Sequence, residues 1–119
     1  DGIMDLKTTW KYGTGGKIYL FTPGDDAWLR ISLADIPRDK YSIFFDVMKE
    51  SFGCDFSLWQ RQTRISEWIS TYQPVEERKK ELYVCDINLD GFINTLTIRF
   101  KTDLQKRSLL LNRIMLIKK

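Results

Sequence analysis

Histidine is absent from this 119-residue chain. That removes Ser-His and Cys-His nucleophilic mechanisms and the commonest metal ligand. Cysteine is scarce, with only Cys54 and Cys85. Two thiols without histidine cannot complete a tetrahedral structural zinc site. Both sit in alternating apolar runs, so they read as small buried hydrophobes rather than as a disulfide. No run of about 18 apolar residues exists, which excludes a membrane-spanning helix. An excess of one charge is also lacking: 19 Lys+Arg face 16 Asp+Glu, a net +3. Arg78-Lys79-Lys80 follows Glu76-Glu77 and reads as a solvated loop, and Lys118-Lys119 reads as a terminus. Neither is the concentrated basic face of a nucleic-acid binder. Gly13, Gly15 and Gly16 cluster, but no helix-forming run or Gly-Lys-Ser/Thr follows, so a flexible turn is expected rather than a phosphate loop.

Aromatic residues are plentiful: 4 Trp, 5 Tyr and 7 Phe, in a chain 43% hydrophobic. They suit a pleated sheet. From Asp86 to Phe100, two apolar runs flank Asp90-Gly91, and Leu96, Ile98 and Phe100 alternate with polar residues. This pattern predicts a half-buried antiparallel strand entered from a tight reversal. It recurs. Asp1 to Lys11 is expected as an irregular lead-in or short edge strand. Lys17–Phe21, Trp28–Leu33, Lys40–Met48, Cys54–Arg61 and Arg64–Ile69 read as strands, with a hairpin tip at Gln60 to Arg64. Ser70 to Lys80 reads as a loop around Pro74, with one helical turn conceivable at Glu76 to Leu82. Glu81–Ile87, Thr95–Lys101 and Ser108–Ile117 complete the set. The last has helical propensity but reads as a strand closing a sheet. Roughly eight strands at ~8–14-residue spacing predict an all-β fold, a two-sheet antiparallel β-sandwich or jelly roll, in a single domain over 1–119.

Three segments carry a family likeness. Lys40-Tyr41-Ser42-Ile43-Phe44-Phe45 resembles a "G-Y-x-I/V" strand, with Lys40 in place of the common Gly. Leu89 to Leu96 resembles an "L-x-x-G-x-N-x-L" hairpin with one extra residue between Gly91 and Asn94. Asn112-Arg113-Ile114-Met115-Leu116 resembles the closing strand, where Asp is frequent at the position of Asn112. Together they cover about the C-terminal two thirds of the chain and resemble the galactose-binding-like β-sandwich superfamily. The resemblance implies a jelly-roll accessory domain of a bacterial glycan-processing protein, periplasmic or extracellular, with carbohydrate or an adjacent catalytic domain as partner. The chain starts at Asp1 and shows no signal peptide, so a processed chain or excised domain is expected. The shared motifs encode strands and turns and transfer no binding site. In the hairpin, Gly91 is expected to supply a backbone conformation that a Cβ would penalise, and Asn94 to hydrogen-bond loop backbone groups.

Sugar recognition needs flat aromatic faces beside planar polar groups. Trp10 and Tyr12 in the glycine-rich loop offer these, as do Trp59, Arg61, Arg64, Trp68 and Tyr72 around the central hairpin. Trp28 and Trp68 lie at strand positions that favour packing in the core or second layer, Tyr72 reads as a loop anchor, and Trp59 points outward. Asp25 and Asp26 beside Gly24 could offer oxygens to a structural calcium, but the turn reading is preferred. No cofactor is expected. Glu50, Asp55, Glu67, Glu76 and Glu77 show no spacing that sets two carboxylates for glycoside hydrolysis. A non-catalytic domain is therefore the primary expectation. A structural or protein-interaction sandwich is the alternative, and a glycoside hydrolase the minor one.

Overall fold

A computed structural model of the chain describes residues 2–5, 16–20, 28–33, 36–90, 95–101 and 107–119, the first two segments by backbone alone. Ten strands are named along the chain: β1 Gly2–Asp5, β2 Gly16–Leu20, β3 Trp28–Ser32, β4 Asp39–Lys49, β5 Asp55–Gln60, β6 Thr63–Arg64, β7 Ile69–Ser70, β8 Glu77–Leu89, β9 Thr95–Lys101 and β10 Arg107–Lys118. The described residues contain no helix.

Sheet 1 runs β1-β3-β9-β5-β6, with β7 also on β5; sheet 2 runs β2-β10-β4-β8. The pairing of β1 with β3 is parallel, and the other named pairs are antiparallel. From β3 to β5 and again from β8 to β10, each strand lies in the sheet opposite its predecessor. Each sheet thus presents one alternating apolar face to the other. The expected all-β sandwich is what the chain forms; eight of its strands exceed two residues in length.

The core follows from the period of two. Tyr41, Ile43, Phe45 and Val47 of β4 point inward, against Ile31, Phe56, Leu58, Leu96, Ile98 and Phe100 of sheet 1. Phe45 stacks on Phe56 across the layers at 5.3 Å and 11°. Burying each such side chain contributes about 1.5–3 kcal/mol. Tyr41 keeps its ring inside and donates its hydroxyl to the Pro37 carbonyl at 2.7 Å. Cys54 and Cys85 are buried and unbonded, as read from their apolar surroundings.

Two expectations are corrected. The polar stretch from Glu77 to Lys80 is neither loop nor helical turn: it starts β8, paired as Glu77↔Lys49 and Arg78↔Met48. Sheet pairing overrides the weak helix preference here, and charged residues suit β8 because it is an edge strand. Arg64 to Ile69 is not one strand. It pairs with β5 only at its ends, as β6 and β7. Between them the Ser66 hydroxyl accepts from Leu58 N at 2.8 Å, standing in for a ladder carbonyl. Ile65 and Ile69 pack against the core, as expected.

Register shifts in β8 and β10 flank the middle of β4. An extra residue in a bulge leaves the ladder and re-aims its neighbours. Asp46 lies between these bulges on the outward side of sheet 2, yet is only 1% exposed. Arg78 covers it with a two-pronged pair, Nε to Oδ1 at 3.1 Å and Nη2 to Oδ2 at 2.7 Å. Asn112, opposite in the β10 bulge, donates Nδ2 to Oδ2 at 2.9 Å. The Arg78 hydrogen bonds hold the Asp46 carboxyl below its ordinary 3.8.

Candidate functional site

The outward positions of sheet 1 differ sharply from its inward ones. On β3 they are Trp28, Arg30 and Ser32; on β5, Asp55, Ser57 and Trp59; on β9, Thr95, Thr97, Arg99 and Lys101. None is aliphatic. Cross-strand register sets them in rungs: Trp28↔Arg99↔Ser57, and Arg30↔Thr97↔Trp59↔Arg64. Opposite residues in such rungs stand about 4.5–5.5 Å apart at Cβ, so their side chains meet.

Each of the three described indoles, Trp28, Trp59 and Trp68, carries a cation. Arg30 lies 4.9 Å from the Trp28 ring centre, Arg99 4.8 Å from Trp59, and Lys101 4.4 Å from Trp68. All are within cation–π range, and each ring restricts the head group it holds. Trp59 is pinned a second way: its Nε1–H donates to Ser57 Oγ at 2.9 Å. Ser57 faces outward yet is 0% exposed. Ser57 stands opposite Arg99 in register and is bonded to the Trp59 indole, so larger side chains surround it on this face.

A shallow groove of about 580 Å³ opens at one end of this face, lined by Arg30, Arg61, Gln62, Thr95 and Thr97. A second hollow of about 390 Å³, at the other end, is lined in part by Asp55, Ser70, Tyr72, Lys101 and Arg107. Cys54 borders it, and burial pushes its thiol up to about 12, which leaves little thiolate at neutral pH.

The β5–β6 hairpin places Arg61 at its tip. Gln60 pairs with Thr63, leaving Arg61 and Gln62 to turn the chain. Arg61 has φ 58°, the left-handed region that glycine prefers. The exposed Arg61 guanidinium lies 3.9 Å from the equally exposed Asp90. A surface pair at that distance contributes little.

Of the residues singled out from sequence, Trp59 and Arg64 share a rung, and Arg61 caps the same hairpin. Trp68 is half-buried beneath Lys101. Neither it nor the half-buried Trp28 belongs to the core, which corrects the core part of their reading, and Trp68 lies between β6 and β7 rather than in a strand. Tyr72 is also corrected: its side chain is 53% exposed. The loop is anchored by backbone instead, through Glu50 N to Thr71 O at 3.0 Å and Gln73 N to Glu50 O at 2.9 Å. Trp10, Tyr12, Asp25, Asp26, Gly91 and Asn94 lie outside the described residues. Sequence reasoning missed Arg30, Arg99 and Lys101. The alternation of β9 set Arg99 and Lys101 outward, but only the register put Arg99 beside Trp59.

Among the carboxylates considered for catalysis, Glu50 is buried and accepts from Ser108 Oγ at 2.8 Å. Asp55, Glu67, Glu76 and Glu77 are exposed. The described residues hold no group of three or more His, Cys, Asp or Glu suited to a metal ion, and no helix among them is long and apolar enough to cross a membrane.

The other outer face, on sheet 2, is of another kind. Met115, Phe44 and Tyr83 share a rung. Phe44 meets Tyr83 edge-on at 5.6 Å. Tyr83 is 51% exposed, and Ile117 on the neighbouring rung 55%. Asp86 borders this patch and accepts from Ser42, Tyr83 and Lys119 at 2.8, 3.0 and 2.7 Å.

No match is found among curated proteins. Among solved structures, a xanthan lyase from Paenibacillus is similar, with a TM-score of 0.67 and 17% identity. The likeness covers 87% of this chain and 10% of that one. It establishes a shared β-sandwich, present there as a small part of a large glycan-processing enzyme. A sequence-family profile described as a domain of unknown function, DUF8441, matches residues 3–119. The chain belongs to that family.

Proposed function

We propose that this chain is a non-catalytic accessory domain of a glycan-processing protein, and that it binds carbohydrate through the outer face of sheet 1. The observation that carries this reading is the set of Trp28, Trp59 and Trp68 with their cations, beside outward positions of β3, β5 and β9 that hold no aliphatic residue. Aromatic planes flanked by planar polar donors suit sugar rings and their substituents. The shared fold with a tenth of a xanthan lyase supports an accessory role, as does the resemblance to galactose-binding-like domains. In this reading the domain sits in a secreted or periplasmic protein, needs no cofactor and leaves the chemistry to an adjacent catalytic domain.

Affinity gel electrophoresis through a panel of neutral and acidic polysaccharides tests the reading. Retardation by at least one polysaccharide, lost in Trp59→Ala with the fold intact by circular dichroism, is expected. No retardation by any member of the panel would overturn it. A dye-release screen over common glycosides should stay silent, and turnover there would contradict the non-catalytic assignment.

One observation favours a second reading, that the domain packs against another protein domain. The Met115, Phe44, Tyr83 and Ile117 patch on sheet 2 is apolar and open. Exposed aromatic and aliphatic side chains rimmed by charge suit a domain interface. The two readings use opposite faces and are compatible.

A further inference from the structure

The outer face of sheet 1 offers a sugar something other than bare indoles. A guanidinium over an indole takes up one of its two faces. Arg30 and Arg99 do this at 4.9 and 4.8 Å, and the Lys101 ammonium at 4.4 Å. What the surface presents is therefore a set of indoles, each with a cationic head held against it. On the outward positions of β3, β5 and β9 there are three cations, Arg30, Arg99 and Lys101, against one carboxylate, Asp55. Lys101 stands opposite Asp55 in register, yet no ion pair joins them. Among the described residues, no carboxylate pairs with Arg30, Arg64, Arg99 or Lys101, whereas Lys79, Lys118 and Lys119 each have one. Lys40, Lys80 and Arg113 also lack a paired carboxylate among the described residues, but they are scattered, whereas Arg30, Arg99 and Lys101 stand together on adjoining strands.

The cations form a track. Arg99 and Lys101 are two residues apart on β9, about 6.8 Å along the strand. Arg30 lies on the adjoining strand opposite Thr97, one rung further on. Arg61 then borders the same groove as Arg30. Arg61 holds a left-handed backbone at φ 58° that a glycine would hold without strain. An indole-backed guanidinium has lost much of its rotamer freedom before a ligand arrives, and its fork matches an oxyanion in two bonds.

We infer that the outer face of sheet 1 selects an anionic polysaccharide, one bearing carboxylate or sulfate groups, gripping its charges with Arg30, Arg99 and Lys101 along a track that ends at Arg61. This rests on the carbohydrate-binding reading above and specifies its ligand class. The absence of aliphatic side chains at the outward positions of β3, β5 and β9 disfavours an apolar protein partner.

Affinity electrophoresis with polygalacturonate, dextran sulfate, neutral dextran and single-stranded DNA tests the inference. Retardation is expected in polygalacturonate or dextran sulfate, the stronger naming the carboxylate or the sulfate as the recognised group. It should weaken steeply from about 0.05 M to about 0.5 M salt, over which the screening length falls about threefold. Arg99→Gln should cost about tenfold in affinity, because a charged two-pronged contact is lost. Arg99→Lys, which keeps the charge but not the fork, should recover part of it. Unchanged circular dichroism and thermal midpoint in both variants would separate binding from folding. Binding to neutral dextran alone, insensitive to salt and to Arg99→Gln, would overturn this inference while leaving the carbohydrate-binding reading standing. DNA bound as tightly as the acidic polysaccharides would overturn it too, since the face would then be reading charge density only. Failure with every polysaccharide, neutral or acidic, would remove both.

Discussion

Removing the Arg78 side chain should destabilise the domain by about 2 kcal/mol. Asp46 is 1% exposed and accepts three hydrogen bonds, two from Arg78 and one from Asn112. In Arg78→Ala a buried carboxylate keeps a single donor. Breaking a fully buried ion pair from one side costs about 3–5 kcal/mol. The loss is smaller here because the Arg78 side chain is 47% exposed, and a cavity of about 170 Å³ beside Asp46, lined also by Met48 and Leu110, gives water a route to the carboxylate. For a domain of this size the midpoint of thermal unfolding should fall by about 6–10 °C. The pH dependence is more diagnostic. In the native chain Asp46 has a lowered pKa, held down first by the Arg78 hydrogen bonds. A depressed native pKa adds stability above the ordinary carboxylate value of 3.8, and that stability is lost as pH falls through the native value. Arg78→Ala removes this advantage, so the gap between variant and native chain should be widest near pH 7 and shrink toward pH 3. Asp39, Glu77 and Asp86 are lowered as well, so the difference between the two proteins is the quantity to follow. Urea unfolding from pH 7 to pH 3 measures it. Asp46→Asn with Arg78→Ala should be less destabilising than the sum of the single changes, because no orphaned charge is left. A loss under about 0.5 kcal/mol, or a gap constant with pH, would refute the assignment of Asp46 as a buried, Arg78-dependent carboxylate.

Three further outcomes are expected. Gly53→Ala should destabilise by about 2–3 kcal/mol, because a Cβ there collides with the Thr71 carbonyl and the Tyr72 nitrogen, both main-chain atoms in the bonded segment that closes on Cys54; an unchanged urea midpoint would contradict that packing. Arg61→Gly should leave stability within about 1 kcal/mol of the native chain, since relief of the left-handed backbone offsets the added freedom of the unfolded glycine, while weakening retention by polygalacturonate; a loss of more than about 2 kcal/mol would show the Arg61 side chain to be structural. Burial pushes the Cys54 thiol up to about 12 and the Cys85 thiol up to about 11, so a disulfide reagent at pH 8 should label both only as fast as the chain opens, and immediate labelling of either would disagree with the buried placement.

The fold was legible because it rests on a period of two. Tyr41 through Val47, Phe56 with Leu58, and Leu96 through Phe100 announce their inward faces in the sequence, and all are buried. What stayed hidden depends on register between distant segments. Nothing local to Thr95–Lys101 says that Arg99 lies beside Ser57 or that its guanidinium meets Trp59. The bulge at Asn112 is equally silent, although it aims the side chain that binds Asp46. Glu77 to Lys80 misled for a related reason: a charged segment of good helix formers is a strand here because β4 supplies a partner. The candidate site was half visible. Trp59, Arg61, Arg64 and Trp68 stood out as aromatics and planar cations around a hairpin, whereas the cations that complete the face came from β3 and β9.

The most direct test of a ligand site on sheet 1 is a nitrogen–proton correlation spectrum of the indole and arginine side chains, recorded while polygalacturonate oligomers are titrated in. The Trp59 Nε1–H, bonded to Ser57, and the Arg99 Nε–H beside it are predicted to shift together and saturably, with Trp28 and Trp68 following and the Arg78 and Arg113 Nε–H signals on sheet 2 unmoved. Shifts confined to sheet 2, or a spectrum unchanged at saturating oligomer while the protein is retained by the polymer, would contradict it.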